Sequence, residues 1–321
     1  MVWYNSLTEF PNTGIQFRNP SEIAKANRNN SNRHEPRRRD GGRQTRQHMT
    51  CTEDQRVETV EPSSTETVSY RVVDDVAYVT LTRPDRLNAV TKELYAGVQG
   101  ALERANEDDA RVIVLEGEGR AFCVGADLKD HDERERTAAE KREYAWTAQR
   151  TCEAIQTHER PVIAKVQGYA IGAGAEMALS ADLIVMAAQA EIRFPETSIG
   201  TYVGGGVTDT LPERVGTAKA KELLLTAASL DGTEAAEIGL VNEVVPDDEL
   251  DDAVNDLATE VANNAPIPIT FAKKQLNQQP TDRELVLTAE VDALLTCMET
   301  ADWQEGIDAF AEEREPVFEG R

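Results

Sequence analysis

Cysteine and histidine are scarce in this 321-residue chain, with four of each. Cys51, Cys123, Cys152 and Cys297 lie far apart and form no CxxC pair, which argues against a disulfide framework and a zinc cluster. His34, His48, His131 and His158 show no metal-ligand spacing, so no catalytic metal is expected. No stretch approaches the ~18 uninterrupted apolar residues that a spanning helix needs. The first residues also lack the basic-then-apolar order of a secretion signal. The expectation is a soluble, cytoplasmic protein that does not use a membrane. Neither a GxGxxG turn nor a phosphate-binding loop occurs, so NAD and ATP are not implied and no cofactor is expected.

Basic residues are outnumbered, 34 against 58 acidic, for a net charge of −24. Residues 1–48 run the other way, with nine basic and four acidic residues, a net of +5 that leaves −29 on the remainder. So acidic a body repels nucleic acid and anionic surfaces, and no nucleic-acid partner is expected for it. Many of the acids fall between apolar segments, as in Glu107-Asp108-Asp109 and Asp247-Asp248-Glu249. This pattern reads as adaptation to a salty cytoplasm (a halophilic protein) in preference to an acidic binding surface.

Residues 1–67 lack apolar periodicity and are rich in Asn, Arg, Ser, Thr and Gln, including Arg37-Arg38-Arg39. Such a segment buries too little surface to offset its ordering entropy. It reads as a disordered extension, either a nucleic-acid-binding tail or sequence upstream of a true start at Met49; the second reading is favoured. From Val68 the pattern becomes regular. Val68–Val73 and Val76–Thr82 read as a hairpin around Asp74-Asp75. Thr91 to Asn106 carries apolar residues at the three-and-four spacing of a helix. Val112–Leu115, Pro161–Val166, Leu183–Ala187 and Val241–Val245 read as strands. Glu133–His158, Glu176–Ala181, Ala218–Thr226 and Thr233–Ile238 read as helical. From Leu250 nearly everything reads as helical, broken at Pro266, Pro268 and Pro280. The organisation predicted is an α/β core over residues 68–260 and a helical region over 261–321.

Three stretches carry candidate chemistry. Ala121-Phe122-Cys123-Val124-Gly125-Ala126-Asp127-Leu128-Lys129 follows a strand, and its Gly-Ala step would let a ligand approach the backbone closely. A structural turn would look the same. Gly168-Tyr169-Ala170-Ile171-Gly172-Ala173-Gly174-Ala175-Glu176 follows another strand and opens a helix, where free N–H groups and the dipole favour negative charge. Glu176 lies three residues beyond Ala173, on the face nearest those groups. The same small residues would also serve close helix–strand packing. In Phe194-Pro195-Glu196 the proline presents Glu196 from a rigid turn. Gly204-Gly205-Gly206 beyond it reads as a mobile loop or a tight connection.

In their order and spacing these stretches resemble the enoyl-CoA hydratase/isomerase (crotonase) superfamily. The likeness runs from about Val76 to Phe318. It includes Leu81-Thr82-Arg83-Pro84, Leu87-Asn88-Ala89, Gly239-Leu240-Val241 and the closing Phe310-Ala311-Glu312-Glu313-Arg314-Glu315-Pro316-Val317-Phe318. The resemblance implies a spiral of ββα units followed by helices that build a homotrimer or a dimer of trimers. It further implies an acyl-CoA substrate, with CoA as part of that substrate. It matches the backbone N–H groups of Ala126 and Ala173 to an oxyanion hole, and Glu176 and Glu196 to the two catalytic glutamates of hydratases. Val124, Ala126, Asp127, Leu128, Lys129 and Ala173 would line the thioester and CoA cleft. Arg83, Arg86 and Lys129 are candidates for the CoA phosphates, joined by Lys273 or Lys274 from the helical region.

Retention of both glutamates favours hydration of a 2-enoyl-CoA over isomerisation, because double-bond movement needs only one proton shuttle. The alternatives are a Δ3-Δ2-enoyl-CoA isomerase or another reaction of the superfamily, and a non-catalytic homologue that binds a CoA thioester or RNA. Three positions depart from the family pattern. Ala173 stands where glycine is usual, Val203 where many hydratases have proline, and Thr208-Asp209-Thr210 where Thr-Gln-Arg is usual. These changes bear on substrate range.

Overall fold

The computed structural model describes residues 65–127, 137–278 and 282–321. Most of the N-terminal extension, together with Leu128, Lys129 and Pro280, lies outside them. Strands β1 (Val68–Val73) and β2 (Val76–Leu81) pair antiparallel, with Val68 opposite Leu81. Asp74 and Asp75 both adopt positive φ, 48° and 65°, as a two-residue hairpin turn demands. Helix α1 (Lys92–Glu107) starts where the Thr91 side chain accepts the Leu94 N–H, and it buries Leu94, Val98, Leu102 and Ala105.

Strand β3 (Val112–Gly117) leads to α2 (Ala138–Thr157), whose start carries a reciprocal capping box between Thr137 and Glu140. The chain continues through β4 (Val162–Val166), β5 (Tyr169–Ile171), α3 (Ala173–Leu179), β6 (Leu183–Ala187) and β7 (Glu191–Arg193). After a 3-10 turn at Glu196–Ile199 come α4 (Val207–Thr226), β8 (Ser229–Asp231), α5 (Gly232–Glu237) and β9 (Glu243–Val245). Four helices follow: α6 (Leu250–Ala262), α7 (Pro266–Gln278), α8 (Arg283–Met298) and α9 (Ala301–Glu312).

Six strands form one sheet in the order β1-β2-β3-β4-β6-β9, parallel beyond the first hairpin. A second sheet holds β5-β7-β8. The architecture is thus a succession of ββα units. Twice the first strand of a pair enters the large sheet, the second enters the small one and a helix brings the chain back: β4, β5 and α3, then β6, β7 and α4. Ile113, Leu115, Ile163, Ile184 and Met186 are fully buried on the inner strands, as expected of a parallel sheet covered on both faces.

The three-residue strands of the small sheet are absent from the sequence reading, being too short to show a period. Helix α4 begins at Val207, well before Ala218, and bends at Gly216, whose φ and ψ of 77° and 153° are not helical. Pro266 opens α7 instead of breaking a helix, since proline lacks only an N–H that a first turn leaves unbonded anyway. Among the described residues no helix is long and apolar enough to cross a membrane.

Candidate active site

Two segments that meet where the sheets join build the site. Cys123 and Ala170 are parallel bridge partners. The Cys123 N–H donates to the Tyr169 carbonyl and the Ile171 N–H to the Cys123 carbonyl, both at 2.9 Å. Beyond this pairing the two segments stay close, with Gly125 next to the Ala173 nitrogen. Among the described residues, the N–H of Ala126 has no acceptor. Ala173 is the first residue of α3, where an N–H has no partner within its helix. A side chain at residue 125 would stand 2.7 Å from the Ile171 carbonyl oxygen and 3.4 Å from the Ala173 nitrogen. Glycine at that position, with φ at 86°, therefore keeps the space before the Ala173 amide open.

Both glutamates border this space. Glu176, in the first turn of α3, is 6% exposed, and its Oε1 accepts the Gly204 N–H at 2.7 Å. Burial pushes its carboxyl up to about 7, against the lowering effect of the Gly204 amide and with a smaller raising effect from Glu196. Glu196 begins the 3-10 turn behind Pro195 and is 7% exposed. Its Oε2 is buried without a hydrogen-bond partner. A side chain on Gly172, which has positive φ, would come within 3.0 Å of its Oε1. Burial raises this carboxyl as well. Two desolvated acids thus lie beside two main-chain segments with donors to spare, an arrangement suited to moving protons next to a developing negative charge.

The triple glycine proves to be part of this wall. Besides the Gly204 amide, a Cβ on Gly205 would meet the Cys152 sulfur at 2.8 Å and the Glu176 Cβ at 3.0 Å. The sequence reads this run as a mobile loop or a tight connection; the signal for its place in the site is a cluster of glycines shortly after a glutamate on a rigid turn. The Cys123 and Cys152 thiols nearby are each pushed up to about 12 by burial, so neither is an activated nucleophile.

The candidate CoA contacts fall into two groups, one around the Pro84–Arg86 turn and one on α7. Arg83 is engaged by Asp127, with a nitrogen–oxygen distance of 2.9 Å, and by the Ala89 carbonyl. Arg86 is exposed on the neighbouring 3-10 turn Pro84–Arg86. Val124 is half-buried and donates its N–H to the Leu87 carbonyl at 3.2 Å. Lys273 is buried and bonded to Asp182 at 2.7 Å, whereas Lys274 is exposed. Leu128 and Lys129 fall outside the described residues.

Residues 72–321 match the family model described as enoyl-CoA hydratase/isomerase. The chain belongs to the enoyl-CoA hydratase/isomerase family. It is an enzyme of that family, and its fold is the family's α/β spiral with C-terminal helices. A crotonyl-CoA hydratase of Syntrophomonas wolfei is 34% identical over 248 residues, 76% of this chain and 95% of that protein. A 2,3-dehydroadipyl-CoA hydratase of Escherichia coli is 34% identical over 250 residues, 77% and 96% of the two chains. The crystal structure of an enoyl-CoA hydratase from Bacillus anthracis superposes with a TM-score of 0.76 at 32% identity, covering 79% of this chain and all of that one.

Proposed function

We propose that this protein is an enoyl-CoA hydratase that adds water across the double bond of a 2-trans-enoyl-CoA to give a 3-hydroxyacyl-CoA. The observation that carries the reading is the pair of buried carboxyls, Glu176 and Glu196, beside the open amides of the Ala126 and Ala173 segments. Addition of hydroxide to the β-carbon drives electrons onto the thioester oxygen as an enolate. Two fixed N–H donors stabilise that charge without reorganising, each worth roughly 3 kcal/mol by comparison with other oxyanion holes. The glutamates orient and activate the water. Its oxygen bonds to the β-carbon as its O–H proton passes to a carboxylate of the pair, and Glu196 delivers a proton to the α-carbon, so that the pair ends with as many protons as it began. No metal or separate cofactor enters the scheme. The homologues named as hydratases support the reaction class, and the acyl-CoA is bound as substrate by a homotrimer or a pair of trimers.

Crotonyl-CoA is the probe. In buffer of high salt, the purified protein is expected to remove the enoyl-thioester absorbance and form 3-hydroxybutyryl-CoA. Glu176→Gln and Glu196→Gln are each expected to lower kcat by roughly 10²–10⁴-fold. Conversion of a 3-enoyl-CoA with none of a 2-enoyl-CoA would replace the hydratase reading with the isomerase one. Unchanged turnover in both variants would remove the glutamates from the mechanism.

A further inference from the structure

We infer that Arg83 is a positioning residue: with Asp127 it clamps the peptide plane that aims the Ala126 N–H, and it does not serve chiefly as a ligand for CoA phosphate. The inference rests on the oxyanion-hole role proposed above and extends it to residues with no assigned part in the reaction.

The argument begins at one peptide unit. The carbonyl of Gly125 and the N–H of Ala126 share a plane and point in opposite directions. The Val90 N–H donates to that Gly125 carbonyl at 2.7 Å, and the Asp127 N–H donates back to the Val90 carbonyl at 3.0 Å. Val90 and Ala126 are accordingly bridge partners. Holding the carbonyl fixes where the Ala126 N–H aims. What holds Val90 and Asp127 relative to each other therefore sets the geometry of the donor.

Arg83 spans that pair. One terminal nitrogen lies 2.9 Å from Asp127 Oδ2, and the other donates to the carbonyl of Ala89, the residue before Val90. Its own backbone is pinned in turn. The Arg83 N–H donates to Asn88 Oδ1 at 2.9 Å, and the Asn88 amide nitrogen donates to the Glu118 and Ala121 carbonyls at 3.0 and 2.8 Å. Asn88 is fully buried, Asp127 is 5% exposed and the Arg83 side chain is 16% exposed. Two terminal nitrogens of the guanidinium thus face inward on protein acceptors, in the forked geometry that suits arginine and that lysine cannot reproduce. A phosphate would have to compete with a buried carboxylate for the same donors. Arg86, exposed on the same turn, has no such carboxylate partner among the described residues.

The test uses the full-length protein in high salt with Arg83→Gln, Arg83→Lys, Asp127→Asn and the double variant Arg83→Gln/Asp127→Asn. If Arg83 positions the donor, kcat on crotonyl-CoA falls about 10–100-fold while KM changes little. The double variant is then no worse than the poorer single one, and lysine fails to rescue. A KM that rises tenfold or more with kcat preserved, and that depends steeply on salt, would overturn the inference and make Arg83 a phosphate contact. A second readout does not need turnover. Bound butyryl-CoA, which is not hydrated, should show its thioester carbonyl stretch moved to lower frequency in the wild type and moved less in Arg83→Gln. If the wild type neither hydrates crotonyl-CoA nor polarises that carbonyl, the hydratase reading fails on its own. The clamp is then judged by hydrogen exchange at the Val90 and Asp127 amides, which should quicken in Arg83→Gln; unchanged protection there overturns it.

Discussion

At the scale of single residues the site works against the fold. Glu176 has its carboxyl raised from 4.5 to about 7, chiefly by burial. A group whose folded pKa lies above its unfolded value favours the folded state below the unfolded pKa, and that contribution is lost as pH rises through the folded one. Ionised Glu176 therefore weakens the protein at alkaline pH. Glu176→Gln removes the ionisation, so the stability of this variant relative to wild type should climb between pH 5 and pH 8, to a limit of roughly 3 kcal/mol. Denaturant titrations at several pH values measure it, and a difference that stays flat with pH would contradict the argument. The same residues show what was legible. Glu176 and Glu196 stood out because glycines and a proline frame them. The Arg83–Asp127 pairing joins residues 44 apart, and no local pattern announces such a contact.

Among the elements, α7 is fastened to the α/β core by a buried lysine, alongside hydrogen bonds from Thr270 and Asn277. Lys273 donates to Asp182 at 2.7 Å and to the carbonyls of Arg160 and Ile155 at 3.0 and 3.4 Å. Burial moves both partners toward their neutral forms, Asp182 up and Lys273 down, because desolvation outweighs their attraction. Lys273→Ala strands a buried carboxylate and should cost about 3–5 kcal/mol. Lys273→Met combined with Asp182→Asn should recover most of that loss, because the introduced amide keeps an acceptor for the Val162 N–H. Equal stability of the single and double variants would show that the ion pair is not what holds the helix. Most of the elements were readable, since the first hairpin, α1 and the large-sheet strands have clear periods and turn residues. The small sheet was not, as its strands are three residues long and owe their extended form to pairing with one another. Pro266 misled for a physical reason: the residue that ends a helix in its interior is well suited to begin one.

For the whole molecule, net charge and exposed apolar surface act together. Helix α8 has no buried residue, Leu294 on it is 55% exposed, and Phe310 on α9 is 88% exposed. The proposed assembly into trimers would cover such side chains. Light scattering in molar salt should give the mass of three or six chains, and Leu294→Glu with Leu295→Glu should yield smaller species. Salt screens like charges within a few ångströms at molar strength. The melting temperature and the assembled fraction of so acidic a chain should therefore rise together as salt is added, and a fall in both would refute the halophilic reading. The crossing from large sheet to small has one more consequence, at Gly125 and Gly174. A methyl group at Gly174 would stand 2.1 Å from the Cys123 carbonyl oxygen, and one at Gly125 would block the Ala173 amide. In the proposed mechanism residues 126 and 173 contribute only peptide groups, which every amino acid except proline possesses. Descent within such a lineage can therefore rewrite the letters at the two donors while leaving the glycines beside them untouched.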